Sequence, residues 1–248
     1  MATNMSALGF VTQQGGEFEV LARKCFAQGR KRRCKQGVYI VWEVGQGIEL
    51  WAQLNENEEL IGLNPHFAGK TLLSAGLLER VARTGFQMDG GFKSLSQPYG
   101  SDPIQGAIPF VFDAPDFLLH EELTLPLIHS VQLCAFALQC VLYENEVVFQ
   151  ASTTRHKMNY AADACVPLGF QDKDRQPLSE PLASAMLCGV ILETAQLTNP
   201  VSKRSFTWMK LKNAIGEVDV VADPEVLPRS PKPREILQCS VWLSGKLA

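Results

Sequence analysis

The chain has 248 residues, of which 46% are hydrophobic and 20% charged, with a formal net charge of −3. That balance supplies a substantial core and excludes an intrinsically disordered chain. It also excludes a globally basic protein drawn to nucleic acid or anionic lipid by its overall field.

In chain order, residues 17 to 28 place Phe18, Leu21, Ala22, Cys25 and Phe26 at helical spacing, which predicts a short helix ending near Gly29. Seven cations fall within thirteen residues: Arg23, Lys24, Arg30, Lys31, Arg32, Arg33 and Lys35. Such a run is a candidate phosphate grip, although aromatic residues for base stacking are nearly absent from it. Two strand-like runs follow, 38 to 44 and 48 to 54, joined by Gly45-Gln46-Gly47, and they predict a β-hairpin. Alternation puts Val38, Ile40, Trp42 and Val44 on a core face. It puts Ile48, Leu50, Ala52 and Leu54 on the apolar face of the partner arm, so Trp51, grouped with Glu49 and Gln53, is expected to be exposed.

The stretch around Asn64-Pro65 reads as a loop. Residues 70 to 84, with Leu73, Leu77, Leu78 and Val81 on one helical face, predict a second short helix. From residue 86 the chain reads as strands: 86–95, 107–113, 128–143, 146–153, 186–197, 204–212, 216–222 and 235–247. Turn-rich segments at 98–106 and 223–234 punctuate them. Residues 154 to 183 lack periodicity and read as a linker or long excursion. The expected organisation is an N-terminal β unit (1–153), that linker (154–183) and a C-terminal small β-barrel-like unit (184–248).

Two stretches resemble each other. PFVFDAPDFL (109–118) followed by SVQLCAFAL (130–138) matches DVVADPEVL (219–227) followed by ILQCSVWLS (236–244), with Pro115 on Pro224, Gln132 on Gln238 and Phe136 on Trp242. Self-similarity on this scale suggests a duplicated supersecondary unit. The fold class expected is mainly β: two related small β-barrel or sandwich units, with one or two short helices in the N-terminal half. In strand count and in glycines able to bend long strands (Gly90, Gly91, Gly189), the units resemble OB-like barrels.

No catalytic motif is present. The glycine patterns match neither a P-loop nor a dinucleotide fingerprint, and G-x-S-x-G is missing. The four histidines, His66, His120, His129 and His156, lack metal-ligand spacing, so no metal and no cofactor are expected. Seven cysteines, an odd number without a C-x-x-C pair, read as free thiols in a reducing, cytoplasmic setting. Residues 1 to 20 do not resemble a secretory leader, and the apolar stretch near 125–143 is too polar to span a bilayer.

The leading expectation is a non-enzymatic binding protein that engages a protein partner, or a second copy of itself, through exposed strand faces or the groove between units. The candidate ligand-binding residues are Trp51, His66, Trp208, Lys210 and Lys212. A second reading is single-stranded nucleic-acid binding by the basic run and the Trp208 face, which the net charge disfavours. A third is an enzyme whose site gathers dispersed residues such as His66, Asp102 and His156.

Overall fold

The computed structural model describes residues 3–10, 16–155, 160–172 and 174–248, and over these the protein is mainly β. Helix α1 (Glu17–Gln28) leads into an antiparallel meander of β1 (Arg30–Cys34), β2 (Gly37–Gly45), β3 (Ile48–Leu54) and β4 (Leu60–Phe67), paired in that order. The chain passes from α1 to β1 at Gly29, where a Cβ would lie 2.5 Å from both the Cys25 carbonyl oxygen and Ile40. No other residue fits that approach. The expected helix and the β2–β3 hairpin are both present.

The second sheet contains β5 (Leu73–Arg83), β6 (Phe86–Ser96), β7 (Pro109–Asp113), β8 (Leu127–Tyr143), β9 (Cys165–Pro167), β10 (Ser184–Thr198), β11 (Ser205–Asn213), β12 (Gly216–Ala222) and β13 (Ile236–Leu247). Its order is β11-β12-β8-β5-β6-β7-β13-β10-β9, and pairing of β10 with β11 curls it into an unevenly closed ring. The pairings repeat. β5–β6, β6–β7 and β5–β8 have counterparts in β10–β11, β11–β12 and β10–β13. The parallel pair β7–β13 has its counterpart in β12–β8, and β8 and β13 run antiparallel through the middle. Strands from both sides of residues 154–183 therefore share one ring.

β8 shows how the cores are arranged. Every residue from Val131 to Ala137 is buried. Val131, Leu133, Ala135 and Ala137 face one core, while Cys134 and Phe136 face a second core shared with α1 and the first sheet. A strand covered on both faces reads as a continuous apolar run, as this one does.

Four local expectations are corrected. Residues 70 to 84 hold a strand, β5, and not a helix. Leu73 and Leu77 are spaced by four, which is a whole number of periods of two as well as nearly one helical turn, so that spacing fits both. A bulge between Leu77 and Glu79 then sets Val81 on the opposite face of the strand. Residues 146 to 153 form helix α2 (Glu146–Arg155) and not a strand, and Asn145 accepts a bond from the Val148 N–H through its side chain at the helix start. Asn64-Pro65 lies within β4, an outer strand, which is where a sheet tolerates proline. Trp51 is 3% exposed, because the meander is covered on both faces. Among the described residues no helix is long and apolar enough to cross a membrane.

Candidate functional site

A hollow is built at the tip of the β5–β6 hairpin. Arg83 pairs with Phe86 across a two-residue turn, Thr84-Gly85, and Gly85 takes the positive φ (+83°) that the turn requires. The turn throws Phe86 outward, where it is 61% exposed. A cleft of about 340 Å³ opens on one side, walled by Arg83, Asp89, Asp113, Leu182 and Trp242. A second hollow of about 690 Å³, on the other side, shares Arg83, Phe86 and Asp89 with the first. Leu182, 53% exposed, reaches the cleft because its N–H is anchored to the Gly169 carbonyl oxygen at 2.8 Å.

The polar groups of the cleft are held in place. Arg83 donates to the Asp113 carboxylate and to the Pro181 carbonyl oxygen (2.6 Å), and the Trp242 indole donates to Asp113 at 2.7 Å. The Thr84 N–H and hydroxyl both donate to Glu180, which holds its carboxyl below the usual range. Asp89 differs from these. It accepts from the Gln53 and Asn64 side-chain amides at 2.6 and 2.7 Å, which are neutral donors, and it has no ion pair among the described residues. The cleft thus combines exposed apolar surface with a carboxylate whose charge is not offset.

Ser244 joins this cleft to a buried polar chain. Its side chain lies 2.8 Å from His66 Nδ1, while His66 Nε2 lies 2.7 Å from the Gln132 amide oxygen. An amide oxygen only accepts, so Nε2 carries the proton and Nδ1 accepts the Ser244 hydroxyl. Burial pushes the His66 pKa down to about 4. Such an imidazole is a weak base, and it lies behind a serine that is itself buried. Nearby, the Trp51 indole donates to Glu49 (2.9 Å), and Lys246 bonds the same carboxylate at 2.8 and 3.0 Å. Trp51 and His66 therefore sit in the interior.

The Trp208 face borders a different groove, about 450 Å³ in volume, together with Phe67, Lys70, Leu197 and Lys210. The Trp208 indole donates to the buried carboxylate of Asp219 at 2.8 Å. Asp219 also accepts from the Thr71 N–H and hydroxyl. Lys210 bonds Glu193 at 2.9 Å, which raises its pKa, and it also lies within ion-pair distance of Glu217. Lys212 is exposed and does not border the groove. Asp102 organises its own turn by accepting from the Ile104 N–H and the Gln105 amide. His156 lies outside the described residues.

The sequence reading passed over Phe86, Asp89 and Leu182. Reading 70–84 as a helix removed the hairpin whose tip carries Phe86. The available signal was Thr84-Gly85 between two apolar stretches, which is a turn signature. The described cysteines are free, and burial pushes Cys25 up to about 11 and Cys165 and Cys188 to about 12, far from nucleophile character. No group of three or more potential metal ligands occurs among the described residues. Comparison with protein-family models, curated proteins and solved structures found no match to this chain.

Proposed function

We propose that this chain is a non-enzymatic binding protein that receives a protein partner in the cleft at Phe86. The observation that carries this reading is the pairing of exposed Phe86 and Leu182 with a concave, partly apolar wall. An aromatic and an aliphatic anchor beside a pocket have the make-up of an interface hot spot. The uncompensated Asp89 carboxylate favours a partner with a lysine or arginine next to the apolar side chain that enters. Arg83, Asp113 and Glu180 are already engaged with one another or with neighbours, which suits a rigid receiving surface.

We further infer that β5–β8 and β10–β13 descend from one duplicated unit. The repeated pairing pattern supports this, as does Phe136, which aligns with Trp242 in sequence and faces it across the ladder at 4.9 Å. A pair that is both aligned and facing lies where a two-fold axis relating the units would pass.

A photo-crosslinking amino acid placed at Phe86 or Leu182 tests the binding reading in cells. A discrete protein adduct from both positions, and none from Tyr99, which is 80% exposed elsewhere, is the expected result. Adducts that do not differ between the cleft and Tyr99, or no adduct at all, would overturn it.

A further inference from the structure

β1 is an outer strand of the four-stranded sheet, with β2 on one side and, among the described residues, no strand on the other. Beyond its ladder with β2, none of its residues makes a backbone–backbone hydrogen bond among the described residues. In an antiparallel pair alternate residues turn their N–H and C=O away from the partner, so this edge offers free donors and acceptors. Its first four side chains, Arg30, Lys31, Arg32 and Arg33, are all exposed, and Cys34 at its end is half-buried. Arg30 pairs with Glu43, whereas Lys31, Arg32 and Arg33 form no ion pair among the described residues. The register sets Lys31 opposite Ile40 and Arg33 opposite Val38, on the face that α1 covers, and Arg32 opposite Tyr39 on the other face. Cations therefore line an open edge on both faces of the sheet, in a protein whose net charge is −3.

We propose that the outer edge of β1 is a docking site for an extended acidic segment of a partner protein, which adds to this sheet as another strand. Charge complementarity selects that occupant. A neutral strand, or a second copy of β1, would meet a row of cations with nothing to offset them, and edge charges oppose such pairing. An acidic segment gains the main-chain ladder and, at successive residues, brings carboxylates to cations on alternate faces. Lys31 and Arg33 lie two residues apart, roughly 6.8 Å along the strand, the same spacing as same-face side chains of the added strand. A single-stranded nucleic acid would use the cations alone, since β1 holds no aromatic ring on which bases could stack. The edge shares no residue with the Phe86 cleft and stands independently of that reading.

The test uses the full chain and a fluorescein-labelled peptide with four consecutive glutamates flanked by threonine and valine. Fluorescence polarisation gives the affinity, and amide hydrogen exchange of residues 30–34 in the same mixture reports strand addition. Saturable binding that weakens with salt, slowed exchange across 30–34, and a tenfold or larger loss with the glutamine version of the peptide are expected. The same loss is expected in the Lys31→Glu, Arg33→Glu double variant and, on the other face, in Arg32→Glu. The proposal is overturned by no binding at low salt, by affinity unchanged in both variants, or by binding that leaves the β1 amides unprotected. Tighter binding of a hexathymidylate strand to these residues would also overturn it, in favour of a general polyanion site.

Discussion

His66 has no exposed surface and is bonded at both ring nitrogens, so it folds as a neutral ring. Burial is the largest influence on it. Glu49 and Asp116 favour its charged form and Lys246 opposes it, and the outcome is a pKa near 4, against 6.5 for an unperturbed imidazole. The unfolded chain therefore binds a proton between pH 6.5 and about 4 that the folded chain does not. The stability from this residue is complete above pH 6.5 and is lost progressively as the pH falls through that window, then levels off below about 4. The full loss is on the order of 3 kcal/mol, at 1.36 kcal/mol per pKa unit. Carboxylates titrate in the same range, so the measurement is a difference. Urea midpoints for the wild type and for His66→Gln are compared at pH 7.5 and pH 4.5, and the wild type should lose more stability over the interval. Parallel losses in the two proteins would show that His66 does not carry this dependence.

Among the elements, β5 is where helix and strand readings compete most directly, and Gly76 separates them by sign. In an exposed helix interior, Gly→Ala stabilises by about 1 kcal/mol. In β5 a Cβ at residue 76 would lie 2.0 Å from the Pro103 carbonyl oxygen, so the backbone of the neighbouring turn would have to shift. Gly76→Ala should therefore destabilise the protein by about 1–3 kcal/mol, the usual range for overpacking, as read from the urea midpoint. A stabilised variant would contradict the strand. Elements whose side chains alternate clearly, such as β2, β3, β11, β12 and β13, were legible in the sequence, as was the continuous apolar run of β8. The errors came from patterns that fit two periods. Leu73 and Leu77 satisfy both, the bulge beyond Leu77 moves Val81 to the other face, and Ala75, which points to a strand, is too small to weigh in an apolar count. At α2, Val147 and Val148 looked strand-like, and the deciding feature was Asn145, whose side chain caps the first turn. Trp51 was placed by correct alternation. Its burial depends on what covers the second face of the sheet, and nothing local encodes that.

At the scale of the whole molecule, each core draws on both sides of residues 154–183. One joins Tyr39, Val41 and Trp51 to Leu133 and Leu243, and the other joins Trp42 and Leu50 to Phe136, Phe206 and Val221. The Phe86 cleft is assembled in the same way, from the β5–β6 hairpin, the segment at Leu182 and β13, and for this reason its residues could not be grouped from their sequence positions. Lys246 near the C-terminus bonds Glu49 in the first sheet while lying 5.5 Å from the centre of the Trp51 ring. Unfolding either stretch alone would expose the apolar surface that the other covers, so neither has a low-energy route to open separately. Denaturation is therefore expected to be one cooperative transition. The tryptophans sample both regions: Trp42 and Trp51 lie in the first sheet, Trp208 and Trp242 in the second. Their fluorescence should follow the same urea curve as far-ultraviolet circular dichroism. A protease cut at the exposed residues 174–176 should leave the two fragments associated, because β8 (from residue 131) and β13 (to residue 247) pair along their length. Two separated transitions, or fragments that part after the cut, would instead establish independent units at 1–153 and 184–248 and would make the cleft an interface between domains.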